Sequence, residues 1–128
     1  MVQAVLLKRG TRFDIYTLQR PGADCSLVME YLNSASEGQR AKLVGRIVRM
    51  AERGPYVHSV EKSRSLMGTN LFELKEHPTR VIWFYDRTRR GVIVMTHAFD
   101  KRTDTTPAQE IARAERLQGE YYDVAGTS

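Results

Sequence analysis

The sequence predicts an α+β fold, a single domain over residues 1–128. Three observations lead there. Segments of period-two alternation and of helical periodicity follow one another in the order β-α-α-β-β-β-α. Gly, Pro and Asn punctuate them where turns are needed. Two Ser/Thr-x-x-Gln patterns mark helix starts as capping boxes.

Phe13 to Leu18 alternates apolar and polar residues, reads as a strand, and closes at Pro21-Gly22. Leu27, Val28, Tyr31, Leu32 and Ala35 follow helical spacing. Ser36 with Gln39 opens a second helix over Glu37 to Arg53, with Ala41, Val44, Ile47, Val48 and Ala51 as its buried stripe and Gly54-Pro55 as its stop. The two helices are nearly contiguous and predict an antiparallel hairpin. Gly68-Thr69-Asn70 is a turn, after which Leu71–Glu76, Arg80–Asp86 and Gly91–Phe99 predict an antiparallel three-strand meander that completes a small sheet. Thr106 caps a C-terminal helix with Pro107 at its first position and Gln109 completing the box, and Gly119 ends it. The arrangement expected is about four antiparallel strands with helices on one face.

The composition is that of a globular chain: 41% hydrophobic, 27% charged. A single cysteine, Cys25, excludes an internal disulfide framework, and the three histidines show no metal-binding spacing. No apolar run suits a membrane span, and the N-terminal segment has the wrong charge order for a signal peptide. A cytoplasmic protein with no metal or cofactor and no membrane partner is expected.

The net charge is +5, and it is unevenly placed. Residues 39–64 carry +5 and residues 80–102 carry +4, whereas residues 103–128 carry −3. Basic blocks of this kind suit a polyanion or form a solvated face. Lys42, Arg46, Arg49 and Arg53 recur at helical spacing as one stripe. Alternation places Val81, Trp83 and Tyr85 on one face of their strand and Arg80, Ile82 and Phe84 on the other. On the last strand it places Val92, Val94, Thr96 and Ala98 opposite Ile93, Met95, His97 and Phe99. Arg80 reads as a phosphate clamp or as an exposed edge charge whose loss leaves stability nearly unchanged. His97 reads as an acid or base, or as a satisfied core residue. Lys101-Arg102 reads as a phosphate site or a solvated strand end. Tyr121-Tyr122 reads as a stacking or acid pair, or as packing of the helix end.

The run from Leu71 to Leu117 resembles the phage-derived HigB-like toxins of the RelE/ParE superfamily. The resemblance rests on Leu71-Phe72-Glu73-Leu74-Lys75, on Arg80-Val81-Ile82-Trp83-Phe84-Tyr85, on His97-Ala98-Phe99-Asp100-Lys101-Arg102-Thr103, and on Thr106-Pro107 with Glu110-Ile111. Lys75 stands where the pattern has arginine, which keeps the charge but not the planar fork, and Arg102 replaces a lysine. The resemblance implies the toxin of a type II toxin–antitoxin system, a metal-independent endoribonuclease that cuts mRNA on the ribosome. Its partners are then mRNA, the ribosome and an antitoxin, expected to be a helix-turn-helix protein. It also implies roles. Arg80 and Lys101 stabilise the phosphate, Lys75 and Arg102 support them, and His97 acts as acid or base, with Tyr121 or Tyr122 as the weaker candidate. From the placement of the charge, Lys42, Arg46, Arg49 and Arg53 are expected to bind RNA, docking the chain onto ribosomal RNA, or to meet an acidic antitoxin segment. Two alternatives stand beside it: a ParE-like inhibitor of DNA gyrase without catalysis, and a non-toxic phage regulatory or structural protein of the same fold.

Overall fold

The computed structural model describes residues 1–55, 63–66, 68–101 and 106–124. The elements are β1 (Gln3–Lys8), β2 (Asp14–Gln19), α1 (Leu27–Ser34), α2 (Glu37–Arg53), β3 (Ser63–Ser65), β4 (Phe72–Glu76), β5 (Thr79–Tyr85), β6 (Val92–Asp100) and α3 (Ala108–Val124). The α+β class, the order of the expected elements and the antiparallel β4–β5–β6 meander agree with the sequence reading. The sheet is larger than expected, with six strands in the order β1-β2-β6-β5-β4-β3. It is also mixed, because β2 runs parallel to β6. β1 comes from the N-terminal apolar patch and β3 from the polar segment before the Gly68 turn. Neither shows the alternation that marks a strand, because each is held from outside by a stronger neighbour, β2 or β4.

Helices cover both faces, not one. Ile15, Val81, Trp83, Ile93 and Met95 pack with Val28 and Leu32 of α1 and with Leu43, Ile47, Met50 and Ala51 of α2. Leu18, Ile82, Phe84, Val92 and Val94 pack on the other face with Ala114, Leu117, Tyr121 and Tyr122 of α3. The central strands β5 and β6 are apolar on both sides, so a single helical layer leaves one side wet. The stripe that α2 buries is therefore Leu43, Ile47, Met50 and Ala51. Ala41 is exposed and Val44 is 41% exposed.

Two end signals behave differently from expectation. Ser36 caps α2 through a bond from the Gln39 amide (3.1 Å). The Gln39 side chain does not close the box. It crosses to the β4–β5 turn and donates to the Glu76 carbonyl (2.9 Å) and to Thr79 Oγ1 (2.7 Å). The first carbonyl of α3 to accept is that of Pro107, from Glu110 and Ile111, while the Thr106 hydroxyl is drawn into the sheet. Gly119 does not stop α3, which continues to Val124. Glycine inside a helix costs about 1 kcal/mol relative to alanine, and burying the rings of Tyr121 and Tyr122 one turn later outweighs it.

One irregularity redirects side chains. Ile82 pairs with His97 and Trp83 with Met95, so Thr96 is an extra residue in β6. Its hydroxyl bonds to the Ile82 carbonyl (3.0 Å). A bulge of one residue inverts the alternation beyond it. His97 and Phe99 therefore share the α3 face with Val92 and Val94, and Ala98 joins the opposite core. The simple alternation had this the other way round.

Gln39→Ala should cost about 1–2 kcal/mol, since it removes two tertiary hydrogen bonds and leaves the cap in place. Urea unfolding is expected to show a lower midpoint at unchanged slope.

Candidate basic site on the α3 face

Cross-strand register builds the site. Lys75 of β4 lies opposite Arg80 of β5, which lies opposite Phe99 of β6. The next row in is Glu73, Ile82 and His97. These side chains share the α3 face, at the end of the sheet marked by the β4–β5 turn. Lys101, held by its amide to the Pro78 carbonyl (2.8 Å), joins them just past β6.

Glu73 is fully buried and organises this end. Its Oε1 lies 3.6 Å from Lys101 Nζ and 3.8 Å from Arg80 Nε. Its Oε2 accepts from the Thr106 hydroxyl, and that hydroxyl accepts in turn from Lys101 Nζ (3.3 Å). A carboxylate in low dielectric needs such partners. Two cations share it, with Lys75, half-buried, next to Arg80. Like charges on directly opposed residues are unfavourable without an anion nearby. The Arg80 side chain also donates from Nη1 to the Thr79 carbonyl (3.0 Å), while its buried Nε makes no hydrogen bond among the described residues.

His97 is 1% exposed. Nε2 meets Glu110 Oε1 of α3 at 3.0 Å and Nδ1 meets Thr96 Oγ1 at 3.0 Å. Burial and, more weakly, the charge of Arg113 hold its pKa below 6.5, and Glu110 only partly opposes them. The imidazole is therefore neutral near pH 7. Its one proton belongs on Nε2, facing the carboxylate, and the single hydroxyl proton of Thr96 then serves either Nδ1 or the Ile82 carbonyl.

The structure brings Arg80, Lys75, His97 and Lys101 to one end of the sheet, but not to an exposed edge. Arg80 and Lys101 are 8% and 3% exposed. Arg80 is buried because Glu73, read in the sequence only as part of a motif, lies in the adjoining row on the same face. Glu73, Thr106 and Glu110 are the residues the sequence reading missed. The alternation of Glu73 with Leu74, once β4 is known to be covered on both faces, is the signal that finds the first. Arg102 lies outside the described residues.

The other candidates lie elsewhere. Lys42, Arg46, Arg49 and Arg53 are on α2, across the sheet from Arg80. Lys42, Arg49 and Arg53 are exposed, and Arg46 pairs with Glu76 (3.0 Å) in a cleft of about 260 Å³ that Lys42 and Arg49 also line. Tyr121 and Tyr122 sit at the far end of β5. The Tyr121 hydroxyl donates to Asp86 and accepts from Arg89 Nη2 (2.7 Å). Burial and the Asp86 carboxylate push Tyr121 up to about 12. Burial alone pushes Asp86 upward, but donors from Tyr121, Thr88 and Arg89 together hold it at about 2. Tyr122 accepts from the Arg87 amide (3.1 Å). Both tyrosines pack the helix end and are remote from His97. Among the described residues no helix is long and apolar enough to cross a membrane, and no group of three or more His, Cys, Asp or Glu is placed to hold a metal ion.

Compared with known proteins, residues 30–118 match the family model described as Phage derived protein Gp49-like (DUF891). No curated protein matches the chain.

Two outcomes follow. Glu73→Gln strands two buried cations around a neutral amide and should cost about 3–5 kcal/mol. Arg80→Ala should cost less, because Lys101 and Thr106 still hold Glu73; calorimetry orders the two. The folded pKa of His97 is depressed, so its contribution to stability is complete above about 6.5. It is lost as pH falls through the folded value. Stability measured against pH should decline below about 6.5 in the wild type, and His97→Gln should flatten that segment.

Proposed function

The chain belongs to the phage-derived Gp49-like family, and from that premise we propose that it is the toxin of a type II toxin–antitoxin pair that cleaves mRNA on the ribosome. The observation that carries this reading is the gathering of cations at Glu73: among the described residues Arg80 and Lys101 lie by one carboxylate, with Lys75 adjoining. The resemblance to HigB-like toxins of the RelE/ParE superfamily, which falls within the matched residues, supports the same assignment.

In this mechanism a ribose 2′-hydroxyl attacks the adjacent phosphorus and the 5′-oxygen leaves, giving a cyclic phosphate and a free 5′-hydroxyl. No metal is needed when preorganised cations meet the charge that develops on the phosphate. The scissile phosphate takes the place of Glu73 as the anion between Arg80 and Lys101. Lys75 meets it from the half-exposed side, and Arg102 supports them. A guanidinium offers the planar fork, and Arg80 Nε is a donor without a hydrogen bond among the described residues. Once its bond to Glu110 opens, neutral His97 carries its proton on Nδ1, donated to Thr96, so that Nε2 accepts the 2′ proton, and solvent water protonates the leaving 5′-oxygen. Lys42, Arg49 and Arg53, on the opposite face, suit long-range attraction to ribosomal RNA. An antitoxin, expected to be a helix-turn-helix protein, restrains the toxin.

One observation favours a second, non-catalytic reading. Arg80, Lys101 and His97 are buried on acidic partners, which suits a gyrase inhibitor of the ParE kind or a non-toxic phage protein that keeps the fold.

Induced expression with growth curves and primer extension separates them. The nuclease gives arrest with new 5′ ends inside reading frames. A gyrase inhibitor gives arrest without them and with loss of supercoiling, and a non-toxic protein gives no arrest. Arg80→Lys keeps a cation on Glu73 but loses the fork, so cleavage should fall by on the order of 10²–10³-fold while the protein stays folded.

A further inference from the structure

A cavity of about 390 Å³ lies at the end of the sheet opposite Arg80, where residues 68–70 enter β4 and β5 ends. It falls within the size range of small-molecule sites, roughly 300–1,000 Å³. Phe72, Tyr85 and Tyr122 supply aromatic walls, and Arg87, Asn70 and Gln118 supply polar ones. The Arg87 guanidinium lies 4.0 Å over the Tyr122 ring, and Tyr85 meets Phe72 edge-on at 5.4 Å. Each planar group thus has its orientation set by a neighbour. Arg87 is exposed, and it opens the basic turn that continues with Arg89 and Arg90.

We propose that this cavity binds one unpaired nucleobase of a single-stranded RNA. The chemistry matches feature by feature. Aromatic and guanidinium planes stack on the π-face that every base has. The side-chain amides of Asn70 and Gln118 each offer a donor and an acceptor, which is what a base edge requires. Arg87 and Arg90 meet the flanking phosphates, while Arg89 stays on Asp86 and Tyr121. A duplex keeps its bases stacked and paired, so the site selects single strands. The inference rests on the RNA reading above and adds a base-recognition subsite to it. β5 separates the two sites by five residues, about 17 Å at the usual strand rise, so one strand a few nucleotides long reaches both.

Trp83 is the sole tryptophan. It stacks on Phe72 at 4.6 Å, so its fluorescence reports on the wall of the cavity. The experiment titrates the full chain with a 2′-O-methyl hexanucleotide, which has no free 2′-hydroxyl and so reads binding whether or not the chain cleaves RNA. Trp83 emission should change on saturation. Affinity should fall about tenfold in the double variant Arg87→Ala, Gln118→Ala, the scale of one lost stacking contact. Arg87 is exposed and Gln118 half-buried, and unchanged far-ultraviolet dichroism shows that the variant is folded. An abasic hexamer, or the hexamer annealed to its complement, should bind the wild type more weakly. Equal affinity for the abasic and intact strands overturns the proposal, as does unchanged affinity in the double variant. Adenosine monophosphate binding as tightly as the hexamer overturns the assignment to RNA. Loss of mRNA cleavage with the base site intact, or the converse, tells failure of one reading from failure of the other.

Discussion

Glu73 imposes the constraint on which this end of the molecule depends. A carboxylate with no exposure, between an apolar sheet and an apolar helix, keeps its charge only if cations and hydrogen-bond donors are brought to it. Its partners come from β5, from the end of β6 and from the residue that precedes α3. The meander, its exit and the helix that covers it are thereby fixed relative to one another by a single side chain. Among the described residues the same pairing brings two buried cations to one carboxylate. Such a site is costly to leave empty of anions and effective at holding one, which is how a structural necessity becomes a candidate active site.

The bulge at Thr96 is the second condition. Without the extra residue, His97 points into the core under α1 and α2, away from Arg80. With it, the histidine reaches Glu110, and α3 gains a polar anchor beside its apolar contacts. The other end of α3 is tied by Tyr121 and Tyr122 to the β5–β6 turn. The helix is held at both ends by polar bonds and in the middle by Ala114 and Leu117. That division explains why a glycine in its last turns does not end it.

The basic charge is partitioned in space. The α2 stripe lies on one side of the sheet, the Lys75–Arg80–Lys101 group on the other, and the Arg87–Arg90 turn at the far end. The second has its cations buried on an acid, whereas in the other two Arg46 pairs with Glu76 and Arg89 with Asp86 while the remaining arginines and Lys42 are exposed. Exposed groups act through long-range, salt-sensitive attraction, whereas buried ones act at a fixed geometry. A chain that draws in a long polyanion and then engages it at one place needs both kinds.

What the sequence determined by itself was local. Helical spacing and the Ser36 signal set α1 and α2, and β-branched and aromatic runs set β5 and β6. The ordered motifs after Leu71 named Lys75, Arg80, His97 and Lys101 as a group. Periodicity carries this information because it reflects which side of one element is dry. Only the tertiary structure decided how many layers the sheet wears, that β2 joins β6 in parallel, and which face His97 occupies. These depend on pairing between residues distant in the chain, and a one-residue slip in register leaves no mark on composition. Burial of Arg80 was beyond the sequence for the same reason: a charge reads as exposed until the carboxylate that meets it, seven positions earlier and on another strand, is placed in the adjoining row.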